Sequence, residues 1–202
     1  MTSRTMKLIV ACVVAMSSAA SAQQQPTEEE KAKMAAAYYE LAKPGPEHQQ
    51  IAALAGKWDL EVKYWMAPGQ QPMTFKGKAE NKMILGGRFL TSETKSGEGQ
   101  MAVESTTIIG FDRRSKKYTT VGLDTMGTYW VTATGPYDEA KKAIVMYGED
   151  VDPALGHTQK YYFVTRIISS NKYITEVIFK DAAHTKGVAE FKAVEITHTR
   201  AK

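Results

Sequence analysis

The stretch GKWDLEVKYWM, residues 56–66, places Trp58, Leu60, Val62, Tyr64 and Met66 on one face and Asp59, Glu61 and Lys63 on the other. Strict alternation over this length, opened by a glycine and carrying tryptophan and tyrosine, specifies a half-buried strand rather than a helix. From this strand onward, runs rich in Val, Ile, Thr, Tyr and Phe recur between turn signals, and no helical stripe interrupts them. Ten strands are expected, at 57–66, 73–84, 88–95, 102–111, 117–123, 129–136, 143–149, 158–168, 173–180 and 188–200. Pro68-Gly69, Gly86-Gly87, Met126-Gly127 and the polar stretches 112–116, 137–141, 169–172 and 181–187 punctuate them.

Connections this short cannot carry parallel crossovers, so the strands must form an antiparallel meander. Pairing the first strand with the last removes both exposed edges. The expected fold is therefore all-β, a ten-stranded antiparallel closed meander barrel preceded by one or two short N-terminal helices. Eight strands leave an interior that side chains just fill, and ten leave more room, so a ligand cavity follows.

The chain upstream divides in two. Arg4 and Lys7 precede an apolar run from Leu8 to Met16, and small residues ending in Ala20-Ser21-Ala22 follow it. This is the pattern of a cleaved secretory signal over residues 1–22, with cleavage near Ala22 and a periplasmic or secreted destination. The run is too short for a membrane span, and no later stretch approaches the length a spanning helix needs. Residues 23–55 form a linker and the N-terminal helices. Thr27-Glu28-Glu29-Glu30 reads as a capping box, Met34, Tyr38 and Leu41 as one stripe, and Pro46 as the first residue of a second helix carrying Ile51 and Leu54. The barrel domain is 56–202.

Composition excludes several functional classes. Cys12 is the only cysteine and lies in the signal, so disulfides, thiolate metal sites and cysteine nucleophiles are excluded from a mature chain. Loss of Arg4 and Lys7 takes the formal charge from +4 to +2, and no long basic run interleaved with aromatics appears, so nucleic acid is not an expected partner. His48, His157 and His184 show no zinc spacing, and Glu149, Asp150 and Asp152 lack the ligand periodicity of a calcium loop. No metal and no cofactor is expected. No G-x-S-x-G elbow, triad or paired-carboxylate motif is present, so no catalytic residue is assigned.

Several of these segments carry a family resemblance. Gly56-Lys57-Trp58, the run from Met83 to Leu90, Gly110-Phe111-Asp112, Asp124 to Thr128, Gly135 to Asp138, Asp152-Pro153 and Glu195 to Arg200 resemble, in order and spacing, the bacterial family called domain of unknown function 1579. The resemblance runs from His48 to Arg200 and implies a lipocalin-like, calycin-type barrel of unestablished function. It also implies a structural signature of Gly56, Trp58 and Arg200, the arginine packing on the tryptophan at the closed end. Phe111 and His198 stand where the family commonly has tyrosine, and residues 121–124 replace a tryptophan-containing stretch.

Alternation puts Val194, Ile196, His198 and Arg200 on one face of the last strand, the face that meets Trp58. The ligand-cavity candidates are Trp58, Leu60, Tyr64, Arg88, Ile196 and His198. Arg88 follows two glycines that suggest a phosphate loop, but a strand rather than a helix comes next, so a tight hairpin is the plainer reading. His198 reads most simply as an interior histidine bonded to its neighbours. Its functional readings are a ligand contact or, because the wider calycin group contains a haem-binding ten-stranded barrel of the nitrobindin type, an axial haem ligand.

The leading expectation is a binding barrel for a small, largely apolar molecule. The alternatives are an envelope protein-interaction module, using Trp65 on the outer face and engaging a protein partner, and a small-molecule enzyme using His198 as acid or base.

Overall fold

The computed structural model describes residues 25–152, 156–180 and 187–202. The segment 1–22 expected as a signal, with Cys12, and also Pro153 and His184, lie outside the described residues.

The first unit of the chain, residues 1–40, holds most of helix α1 (Glu28–Leu41). The capping box forms: Glu30 N–H donates to Thr27 Oγ1 at 3.2 Å, and Thr27 N–H donates to Glu30 Oε2 at 2.8 Å. Three acidic residues in the first turn suit the positive end of the helix dipole.

The second unit, residues 41–202, is the barrel and the helix that stoppers it. Helix α2 (Pro46–Ala52) starts on Pro46, whose missing N–H costs nothing in a first turn. Gly45 N–H donates to His48 Nδ1 at 3.0 Å, which closes that end. Ile51 is fully buried, and with Leu54 it joins the barrel core.

The strands are β1 (Gly56–Tyr64), β2 (Met73–Ile84), β3 (Phe89–Ser96), β4 (Val103–Asp112), β5 (Lys117–Asp124), β6 (Val131–Gly135), β7 (Tyr137–Asp138), β8 (Ala143–Val151), β9 (Thr158–Ser169), β10 (Lys172–Phe179) and β11 (Phe191–Arg200). All pairings are antiparallel, between neighbours in sequence apart from β6 with β8, and β1 pairs with β11 to close the ring. β6 and β7 are two pieces of one barrel strand, both pairing with β8, so the barrel has ten strands. Pro136 divides them because it has no N–H for the ladder, while its carbonyl still accepts from Val145 N–H at 3.0 Å. The backbones approach closely here: a Cβ on Gly135 would collide with the Val145 carbonyl, so only glycine permits this crossing.

Two departures from the sequence reading have local causes. The strand expected from 129 starts at Val131, because Tyr129 and Trp130 extend the preceding turn and stand in solvent. The hairpin between β2 and β3 uses Leu85, Gly86 and Gly87 all at positive φ, which moves Arg88 out of the strand and into the turn.

In the β1–β11 register Trp58 faces Arg200, Leu60 faces His198 and Val62 faces Ile196. Trp58 points inward at 1% exposure, so these pairs lie on the interior face. The main core gathers at the α2 end, where Ile51, Leu54, Trp58, Leu60, Tyr118 and Tyr173 pack together. The other end of the barrel is not filled in this way.

Candidate functional site

Above that core the barrel holds a cavity of about 450 Å³, bordered at its far end by the solvent-exposed Leu123, Tyr129 and Val151. Its base, nearest α2, is formed by Leu54, Asn81, Tyr173 and His198. Its opposite end is bounded by Asp124, Tyr129, Asp150, Val151 and Gln159, near the termini of β5, β8 and β9.

The two walls differ in chemistry. β3 and β4 present Ser92, Thr94, Ser105 and Thr107, and strand register sets Ser92 beside Thr107 and Thr94 beside Ser105. This hydroxyl wall continues to Asn81, which sits directly across from Ser92. The facing wall is apolar and aromatic, carrying Met146, Tyr161, Phe163, Val177, Phe179 and Ile196. Tyr161 meets Phe163 edge-on at 5.5 Å and Phe179 at 6.3 Å, a geometry that fixes these rings.

At the base, Asn81 Nδ2 donates to the Leu54 carbonyl at 2.8 Å and to Tyr173 Oη at 3.0 Å. Trp58 Nε1–H donates to the same carbonyl at 2.9 Å, so the end of the α2 segment is tied to two barrel strands. The His198 imidazole stacks on Tyr173 with centroids 3.8 Å apart and planes 13° apart. Burial lowers the His198 pKa to about 4, and it raises that of the Tyr173 phenol. Both rings are therefore neutral near pH 7. Two side-chain atoms here have no hydrogen-bond partner, Asn81 Oδ1 and His198 Nδ1. Buried polar atoms are rarely left so, and each costs on the order of 1–3 kcal/mol while unpaired.

The residues singled out from sequence distribute as follows. Ile196 and His198 line the cavity. Trp58 and Leu60 belong to the core beneath it, and Tyr64 is half-buried at the far end of β1, across from Met73 and Val194. Arg200 places its guanidinium 4.2 Å from the Trp58 ring centroid and donates to the carbonyls of Ser170, Ala55 and Ala53. Gly56, at φ +127°, makes room for that guanidinium, which a Cβ would strike. Arg88 donates from Nε to the Ala42 carbonyl at 2.9 Å and from Nη1 to the Leu85 carbonyl at 3.0 Å, so its charge caps backbone at the β2–β3 turn. On the outer face Trp65 is half-buried, with Lys192 Nζ 5.3 Å from its ring centroid.

Asn81 and Tyr173 escaped the sequence reading. A signal existed for both. Phe75, Ala79, Asn81 and Met83 share one phase of β2, so an asparagine interrupts an otherwise apolar face. Tyr173 opens the inward phase Tyr173, Thr175, Val177, Phe179 of β10.

A neutral imidazole stacked on a phenol, with no carboxylate at the base, is suited to hydrogen bonding and supplies no imidazolium proton at neutral pH. Among the described residues Asp124 and Asp150 line the cavity and no lysine or arginine does, a lining that does not suit the two propionates of a haem. Among the described residues no group of three His, Cys, Asp or Glu comes together as a metal site, and no helix is long and apolar enough to cross a membrane.

Two solved structures share the fold. Rv2717c from M. tuberculosis is 13% identical, covering 79% of this chain and 100% of its own, with a TM-score of 0.54. The S-type phycobiliprotein lyase CPES from Guillardia theta is 9% identical, covering 77% of this chain and 93% of its own, with a TM-score of 0.52. No curated relative matches by sequence. The model of the family described as "Protein of unknown function (DUF1579)" matches residues 43–200, spanning α2 and every strand of the barrel, and the chain therefore belongs to that family.

Proposed function

We propose that this protein is a secreted or periplasmic barrel that binds a small, largely apolar molecule in its interior. The observation that carries the reading is the unfilled cavity of about 450 Å³, with one aromatic wall and a few convergent polar groups. Ligand pockets of this size have that composition, and a barrel closed at one end by a packed helix gives the ligand a single floor. A fold shared with a phycobiliprotein lyase is compatible with binding a small molecule.

Nile red, a neutral apolar dye, tests the cavity. The purified protein is expected to bind it with blue-shifted, enhanced emission. Thr107→Trp, which puts an indole into the hydroxyl wall, should weaken binding at least about tenfold by occupying the space. Equal uptake by the variant would place the dye outside the barrel and remove the support for an internal site.

The destination rests on Arg4, Lys7, the apolar run that follows and Ala20-Ser21-Ala22. N-terminal sequencing of the protein recovered from a bacterial periplasm or medium is expected to begin at Gln23. Recovery of the intact chain from the cytoplasm alone would overturn that destination.

A further inference from the structure

The charges and hydrogen-bonding atoms of the cavity point to one class of ligand. Among the described residues the charged ones in its lining are Asp124 and Asp150, both at the end away from α2. Each carboxylate is held in place by backbone, Asp124 Oδ1 accepting from Met126 N–H at 2.8 Å and Asp150 Oδ1 from Val151 N–H. Among the described residues no lysine or arginine lines the cavity, and Arg88 and Arg200 donate to backbone carbonyls outside it. An anionic ligand would give up hydration on entering and meet two carboxylates, with only neutral hydroxyl and amide donors to offset them.

The base asks for something specific. Asn81 is 3% exposed and His198 6% exposed, both line the cavity, and each has one side-chain atom without a partner. Asn81 Oδ1 can only accept. The neutral imidazole of His198, which faces the backbone of Ile196 and Tyr173, has one ring nitrogen that donates and one that accepts. Both residues line the cavity but neither unpartnered atom is open to it, so a donor seated at the base reaches them with a small rotation of either side chain. The hydroxyl wall from Ser92 to Thr107 adds groups that serve as acceptor or donor, and the aromatic wall opposite suits a ring.

We propose that the barrel selects a non-anionic, ring-containing ligand bearing a hydroxyl or N–H donor, which seats that donor at the Asn81–His198 base and lays its apolar body on the Tyr161, Phe163, Phe179 wall. This rests on the reading of the barrel as a binding container and names the chemistry of its ligand.

The test uses three probes of one skeleton: 2-naphthol, 2-methoxynaphthalene and 2-naphthoate. They are titrated calorimetrically into the full mature chain at pH 7. 2-Naphthol is expected to bind about tenfold more tightly than the methyl ether, the equivalent of one well-formed hydrogen bond. 2-Naphthoate is expected to bind at least tenfold more weakly than the ether, and Asp124→Asn with Asp150→Asn should narrow that gap. Asn81→Leu and His198→Phe, made separately, should bring the naphthol-to-ether ratio close to one. An ether that binds while naphthol gains nothing, a naphthoate that binds as well as naphthol, or a ratio that survives both base variants overturns this inference alone. Failure of all three probes to bind overturns the container reading and this inference with it.

Discussion

Trp58→Ala is expected to destabilise the protein by about 3–5 kcal/mol, the range for deleting a large buried aromatic. For a domain of this length that lowers the thermal midpoint by roughly 10 °C. The effect is large because the indole has several jobs in one place. It is 1% exposed, its ring edge meets Tyr173 at 4.7 Å, its N–H closes the Leu54 carbonyl, and its face carries the Arg200 guanidinium. Removing it opens a void beneath the barrel cavity and leaves Arg200 partly unpartnered where α2 meets the β1–β11 seam. Arg200→Met tests the second part: it deprives three carbonyls of their donor and should cost about 2–3 kcal/mol on its own. The two substitutions remove a shared contact, so the double variant should fall short of the sum by about 1 kcal/mol. Urea unfolding of the four proteins measures this. A cost below about 1 kcal/mol for Trp58→Ala would show that the closed end repacks and that the indole is not its keystone.

The same residues show what a sequence discloses and what it withholds. Period-two alternation in β1 and β11 is a local property, and it places Trp58, Leu60, Ile196 and His198 on the inner face without any knowledge of the partner strand. The meander and its closure follow from short connections and unpaired edges, which are again properties of neighbouring segments. The expected strand ends at Pro136 and places 137–141 in a turn, whereas the Pro136 carbonyl still joins the ladder and β7 continues on the other side. The role of Arg88 was hidden for a different reason. Its partner is the carbonyl of Ala42, 46 residues away, and no pattern of residue types announces a backbone oxygen at that distance. The base of the cavity is the hardest part to read. Asn81 and Tyr173 stand 92 residues apart and are joined only because β2 and β10 both border the β1–β11 seam. Alternation tells that each faces inward, but their depth in the barrel depends on register and shear, which are set by all ten strands together.

His198 should make the protein's stability depend on pH between about 6.5 and 4. Burial holds its folded pKa near 4, against 6.5 when unfolded. Over that interval the unfolded chain binds the proton and the folded chain does not, so stability rises with pH there and is lost as pH falls through it. A shift of this size corresponds to about 3 kcal/mol, complete above pH 6.5 and forfeited by pH 4. Tyr173 stacks on the imidazole and brings no charge, and backbone hydrogen bonds with Ile196 and Tyr173 favour the imidazolium less than burial disfavours it. His48 contributes in the same direction, because burial also lowers its pKa. The carboxylates whose pKa is lowered, Asp112, Glu190 and Glu195 among them, lose their contribution at more acidic pH. The comparison must therefore be a difference between proteins rather than a single curve. His198→Gln keeps a polar group of similar reach and cannot titrate. Urea midpoints measured from pH 7.5 to 4.5 should converge for the two proteins, wild type losing more stability than the variant as the pH falls. Parallel curves would mean that the imidazole accepts its proton in the folded barrel, and with it that the base of the cavity is wetter and more accommodating of charge than its packing indicates.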